Sequence, residues 1–433
     1  MQGDLGKHRL YLHRPASTLL HIYSFRGQID PKRFRDCISS AMHAHEHLCQ
    51  KVSISDEGEA TFEALEEPQV RVEIEEYEPP ESDEEETLVD IAFQWAEESV
   101  RYNFDVFSGE MIKHVLLTDG ESFVWGIASH YLAGDAKSIQ FMVRDVLKLM
   151  DDKAFVLGTV PWEPLDSANV PNENKLFFTA KRQVRKMNQE WLRSAKSFGP
   201  RDRERMSKNF HEAYPMHILH ERLDKKTFQA LQNLCREKRI HFSALLAAAY
   251  YKASSDTDNV HFTVSTRKPG YEGVGIYQGG IQVEYPKFTG DLMSLAHKIS
   301  IKMAEKLDNP NAVHHSAIVL QGIEGTLIDA GYYAAYDGLK NKSAQTIQGM
   351  YGISSAGKGF QISNLGVIYS EEEFNFASLE EVYFLAPFIP NFARMIGVIT
   401  IGDTMTITHA CYVDPDFERL VLERAKEQLL RLL

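Results

Sequence analysis

Four cysteines in 433 residues are too few for the disulfide framework of a secreted scaffold. Cys37, Cys49, Cys235 and Cys411 also lack metal-ligand spacing, so they read as reduced thiols and no metal is expected. No stretch approaches the ~18 uncharged apolar residues of a membrane span. The opening residues, Met1-Gln2-Gly3-Asp4-Leu5-Gly6-Lys7-His8, have no apolar signal-peptide core. A cytoplasmic protein without a membrane span is the expectation. Positive charge is not in excess either: 47 Lys and Arg against 61 Asp and Glu leave −14, which argues against a nucleic-acid or anionic-membrane surface.

What is present is an ordinary globular composition, 43% apolar and 25% charged, on a chain long enough for two cores. Residues 19–25 are β-rich, and Asp30-Pro31 opens a helix that Asp30 caps and Pro31 starts. Residues 51–55 and 60–65 form a hairpin around Asp56-Glu57-Gly58, and 70–74 alternate as a strand. An acidic connector covers 75–86, an amphipathic helix 87–100, and two strands 111–117 and 123–128. Residues 161–174 are punctuated by Pro and Asn and read as an inter-lobe linker. The span 175–208 is strongly basic, from Lys181 and Arg182 to Arg205 and Lys208; it is either an exposed linker helix or a hold for phosphates and acidic partners. Strands and helices then resume: strand 217–223, helices 225–238, 242–253 and 291–306, strands 260–265, 359–367, 393–401 and 405–413, and a closing helix from 417. The division predicted is 1–165 for a first lobe, 166–215 for a basic inter-lobe linker or helix, and 216–433 for a second lobe.

One segment carries chemistry. The apolar run Phe123-Val124-Trp125-Gly126-Ile127-Ala128 leads into Ser129-His130-Tyr131-Leu132-Ala133-Gly134-Asp135-Ala136-Lys137-Ser138, and a helical pattern follows with apolar residues at 139, 142, 143, 146 and 147. A histidine, a tyrosine and an aspartate are thus presented on a short strand-to-helix loop. His43, His45 and His47 invite a metal reading, but no third ligand type sits beside them and solvated or capping roles fit better. Residues 270–280 are glycine-rich without the Gly-Lys-Ser/Thr ending of a phosphate loop.

The loop resembles the His-His-x-x-x-Asp-Gly signature of the condensation-domain and chloramphenicol-acetyltransferase-like acyltransferase superfamily, in degenerate form. Tyr131 stands in place of its second histidine and Ala136 in place of its glycine. Gly27-Gln28-Ile29-Asp30-Pro31-Lys32-Arg33-Phe34 is similar to the family's opening strand-turn-helix. His45-Glu46-His47-Leu48-Cys49-Gln50 resembles its Arg-His-Pro-x-Leu-Arg helix end, and residues 103–113 the segment before its central strand pair. Val264-Ser265-Thr266-Arg267-Lys268-Pro269 resembles its second-lobe strand and arginine, and Ile362-Ser363-Asn364-Leu365-Gly366 its Ser-Asn-Leu-Gly turn.

The resemblance implies an α/β fold of two chloramphenicol-acetyltransferase-like lobes, mixed sheets flanked by helices, forming a V with a central tunnel. It implies acyl transfer from a pantetheine thioester, on coenzyme A or a carrier protein, to a hydroxyl or amine acceptor. The thioester is a co-substrate, and no cofactor is expected bound; a small-molecule acceptor, an acyl or peptidyl carrier protein and a place in natural-product biosynthesis are the matching expectations. His130 and Tyr131 are expected at the reaction centre, Asp135 and Arg267 as a loop-fixing ion pair, and Ser363, Asn364 and Gly366 on the substrate side; residues 270–280 would be a mobile loop at the tunnel mouth. A tyrosine is a poor base, because a phenol with its usual pKa near 10 is only ~0.1% ionised at neutral pH. Three readings stay open: an enzyme in which His130 or another histidine reaches the acceptor; one in which Tyr131 donates to an oxyanion or substrate and positioning does the rest; or a catalytically degenerate binding or recruitment module.

Overall fold

The computed structural model describes residues 3–76, 87–163, 178–194, 196–254, 259–284, 290–320, 322–350, 359–368, 374–388, 392–412 and 414–433. Most of the acidic connector at 75–86 and of the linker at 161–174 lies outside the described residues. The chain is mixed α/β. Its strands are β1 (Gly3–Asp4), β2 (Thr18–Gly27), β3 (Gln50–Ile54), β4 (Ala60–Ala64), β5 (Arg71–Glu76), β6 (Ile112–Thr118), β7 (Ser122–His130), β8 (His217–Leu223), β9 (Asn259–Ser265), β10 (Gln278–Glu284), β11 (Phe360–Val367), β12 (Ala377–Leu385), β13 (Arg394–Ile401) and β14 (Thr404–Cys411).

They form a five-stranded sheet in the order β12-β2-β7-β6-β5, a six-stranded sheet in the order β10-β9-β11-β13-β14-β8, and a small sheet β1-β4-β3. Both large sheets are mixed. In the first only β5 and β6 run parallel; in the second β11 is parallel to both β9 and β13. The helices start where the sequence places their caps. Asp30 accepts from the amides of Lys32 and Arg33 ahead of helix Pro31–Ala44, and Asp224 accepts from Thr227 ahead of helix Lys225–Lys238.

β12 comes from the second half of the chain yet completes the first sheet, pairing antiparallel with β2 from Ala377↔Gly27 to Leu385↔Leu20. Its outer edge is closed from the other sheet: the hydroxyls of Thr406 and Thr408 on β14 donate to the carbonyls of Val382 and Phe384. Gly397 on β13 makes this approach possible, because a Cβ there would run into the Phe384 carbonyl. The two sheets share a core as a result, with Ile22, Trp125 and Ile127 in one cluster with Met395, Ile399 and Ala410. A second core lies under helices Phe242–Ser254, Leu292–Leu307 and Pro415–Leu430.

The basic span is helical and half-anchored. Helix Phe178–Leu192 turns Val184, Met187 and Trp191 inward against helix Gly325–Tyr336, where the Trp191 indole donates to Thr326 at 2.8 Å. From helix Pro200–Ala213, the buried Arg203 donates to the carbonyls of Leu12 at 3.0 Å and Phe104 at 2.7 Å. The features that escape the sequence reading include strand β1, the short helix Arg9–Leu12, the helices between Pro310 and Met350, strand β10 and strand β12.

Candidate functional site

β7 is buried along nearly its whole length and delivers His130 to the loop as its last residue. The His130 amide donates to Met111 and the Tyr131 amide to Ser17, so both neighbouring segments fix the strand end. A short 3-10 turn, Tyr131–Ala133, follows. Gly134 then takes φ of +150°, a conformation that favours glycine, and a Cβ there would lie 2.7 Å from that of Ser138. Asp135 next caps helix Ala136–Asp151. His47 supports the turn from below through its Nε2–H, which donates to the Leu132 carbonyl at 2.8 Å.

Asp135 is fully engaged. Its Oδ1 accepts from the Ser138 amide at 2.9 Å, the Ser138 hydroxyl at 2.8 Å and Arg267 Nη2 at 2.9 Å, and its Oδ2 accepts from the Tyr277 amide at 2.8 Å. Arg267, beyond the end of β9, also lies 4.4 Å from the centre of the Tyr277 ring. The expected pair of Asp135 and Arg267 therefore exists as geometry. Residues 270–280 differ from the expectation of a mobile mouth loop. Val274, Ile276 and Tyr277 are buried, and Gly275 is bonded to both Asp135 and Ser138, so the segment is a strap holding the motif loop to the second sheet.

Between the sheets, against this loop, lies a cavity of ≈ 150 Å³. Tyr131, Asp135, Ala136 and Lys137 line it from the loop, and Gln361, Ser363, Asn364 and Leu365 from β11. Tyr11 and Arg14, which no sequence signal singled out, close it from the segment before β2. A larger cavity of ≈ 350 Å³ lies between residues 103–108 and the start of helix Pro200–Ala213, but no residue of the motif lines it. The smaller one is the cavity that the motif loop lines.

Tyr131 is 2% exposed, and its ring centre lies 4.5 Å from that of Tyr11. Its hydroxyl has no hydrogen-bond partner among the described residues. Burial, aided by Tyr11 and the negative charge of Asp135, pushes its pKa well above the usual phenol value. Tyr131 is a neutral phenol facing the cavity, able to donate a hydrogen bond and unable to accept a proton.

His130, expected at the reaction centre, does not line the cavity. It is 2% exposed, and its Nδ1 accepts from the Leu132 amide at 3.2 Å, which leaves the ring proton on Nε2. Burial, then the positive charges of Arg203 and Arg14, hold its pKa well below the usual imidazole value. The imidazole is neutral with its one lone pair already used, so it has none to offer an acceptor. The strand ends at His130 and the turn begins at Tyr131, and the two neighbouring side chains reach different surroundings.

Ser363 and Asn364 line the cavity, but Gly366 does not. Asn364 Oδ1 accepts from the Gly366 amide at 2.9 Å and closes a turn, while its Nδ2 donates across to Ser243 of helix Phe242–Ser254 at 3.1 Å. Gly366 supplies the φ of +71° that this turn requires. The three histidines at 43, 45 and 47 diverge. His43 faces Glu67 at 3.4 Å, His45 faces Asp145 at 3.1 Å, and His47 holds Leu132; among the described residues no cluster of His, Cys, Asp and Glu could hold a metal ion.

No family model matches the chain, and no curated protein matches it. Solved structures do. The condensation domain of a monacolin K polyketide synthase superposes with a TM-score of 0.63 at 11% identity, over 99% of this chain and 96% of that one. The first condensation domain of the calcium-dependent antibiotic synthetase gives 0.64 at 11%, over 98% and 95%. A trichothecene 15-O-acetyltransferase from Fusarium sporotrichioides gives 0.64 at 13%, over 99% and 95%. The fold is that of condensation domains and chloramphenicol-acetyltransferase-like acyltransferases. Among the described residues no helix is long and apolar enough to cross a membrane.

Proposed function

Taking the condensation-domain-like fold as the premise, we propose that this chain is a binding member of it, which holds a small acyl-type ligand between its two sheets without general-base catalysis. One observation carries this reading: among the described residues no histidine lines the cavity. Tyr131 is a neutral phenol there, and Asp135 is held by four hydrogen bonds, one of them from Arg267. A positioned base is worth ~10²–10⁴ in rate, and the acyl transfers of this fold would lack that factor here.

A second reading is supported by the same phenol. Its unspent hydroxyl could stabilise a developing oxyanion. Transfer from coenzyme A or a carrier-bound pantetheine to a hydroxyl or amine would then rest on positioning of the two substrates.

The test is thiol release from a panel of acyl-coenzyme A and acyl-pantetheine donors with alcohol and amine acceptors. The expected result is background release by the wild type and measurable acceptor-dependent release by Tyr131→His. Acceptor-dependent release by the wild type that falls in Tyr131→Phe establishes the second reading and overturns the first.

A further inference from the structure

The walls of the inter-sheet cavity carry an imbalance of charge. Arg14 is 7% exposed, and its guanidinium donates through Nη2 only to the backbone carbonyls of Pro387 and Phe388. Among the described residues no carboxylate pairs with it, and a buried guanidinium ordinarily has one. The ring centre of Tyr11 lies 5.8 Å from the guanidinium carbon. Lys137 stands exposed on the same cavity wall, also without a carboxylate partner among the described residues. Ala136 and Lys137 are the first two residues of helix Ala136–Asp151, where amides have no acceptor within the helix and the helix dipole is positive. Among the described residues Asp135 is the one carboxylate lining the cavity, and Arg267 already pairs with it. Leu19, Leu365 and Phe384 make up an apolar part of the lining.

We propose that this cavity selects a small carboxylate, held by the Arg14 guanidinium and the Tyr131 hydroxyl, with Lys137 adding positive charge at the mouth. The inference rests on reading the inter-sheet cavity as a ligand site and names the class of ligand it takes. The donors suit a carboxylate: a planar fork for its two oxygens, a neutral hydroxyl that can only gain by donating, and a positive field around them. A volume of ≈ 150 Å³ takes a molecule about the size of benzene, so the acid is one ring or a short chain. The carboxylate is that of a free acid, or the distal carboxylate of a dicarboxylic acyl thioester.

Calorimetric titration with matched probes tests this. Benzoate and hexanoate are compared with benzamide and hexanamide, and glutaryl-pantetheine with hexanoyl-pantetheine, on the whole chain. Each carboxylate is expected to bind at least about tenfold more tightly than its neutral match. Arg14→Gln should remove most of that preference, Tyr131→Phe part of it, and the exposed Lys137→Gln about a factor of three in a salt-dependent way. Preference for free acids over glutaryl-pantetheine names the first source, and the reverse names the second. Near-ultraviolet circular dichroism checks that Arg14→Gln stays folded; should it unfold, Lys137→Gln and Tyr131→Phe carry the test. Neutral probes binding as well as carboxylates overturn the carboxylate and leave the ligand site standing. Carboxylate binding that all three substitutions leave unchanged also overturns the proposal. Failure of every probe to bind overturns both.

Discussion

Asp135 and Arg267 meet at 2.9 Å across 132 residues of chain, and the pair ties the motif loop of the first sheet to the end of β9 in the second. Both side chains are nearly out of solvent, 8% and 6% exposed, so neither charge tolerates the loss of the other. Arg267→Met is therefore expected to cost ~3–5 kcal/mol, because it leaves the Asp135 carboxylate buried and unpaired. The double variant Asp135→Asn with Arg267→Met should lose less than the single one. Urea denaturation of the set checks this, and a single variant within ~1 kcal/mol of wild type would sink the idea.

Tyr131→Phe removes a buried hydroxyl that has no partner among the described residues. The expected effect on the free protein is a stability equal to wild type or higher by about 1 kcal/mol, because an unmet polar group leaves the interior. Thermal unfolding reads it directly. A loss of 1 kcal/mol or more would mean that the hydroxyl is bonded.

Acid should loosen the motif loop through His47. Burial lowers its pKa to about 4, from about 6.5 in an unfolded chain. The unfolded state thus binds the proton first, so the contribution of this group is present in full above pH 6.5 and is lost as pH falls toward 4. Its size is about 3 kcal/mol. His47→Gln is expected to remove one proton from the pH dependence of unfolding in that window, measured by denaturation at half-unit steps. An unchanged slope would contradict the assignment.

Thr406→Val and Thr408→Val should each cost ~1–3 kcal/mol by leaving the Val382 or Phe384 carbonyl without its donor. Hydrogen exchange gives the sharper readout. Amides of β12 should lose protection more than those of β6, and uniform loss would argue against a local role for the two hydroxyls.

The motif loop was legible because every local signal agrees on it. A continuous apolar strand, a glycine with positive φ and an aspartate cap followed by helical spacing all point to one strand-to-helix turn. Asp30 and Asp224 were equally plain as helix starts. β12 was not, because Glu380 and Glu381 break its alternation and nothing local says that residues 377–385 belong beside residues 20–27. β10 opens on Gln278-Gly279-Gly280, and glycine there reads as loop; its backbone lies close to Val313 and His261, which only the folded chain reveals. Within the site, the residue types at 130 and 131 were read but their directions were not. Arg14 and Tyr11 were missed because they come from a short helical turn and the irregular segment after it, whose proximity to the loop is entirely tertiary.

The placement of β12 has a consequence for the order in which the chain can fold. Gly27 waits for Ala377. As the polypeptide leaves the ribosome, β2 keeps one unpaired edge through the synthesis of nearly everything that follows it. An exposed strand edge of this kind is a template for the wrong partner. Closing it is a contact of very high sequence separation, and such contacts form slowly. The sheet begun first thus stays incomplete until a strand of the second half is made, and a chain cut between the halves would leave it with an open side.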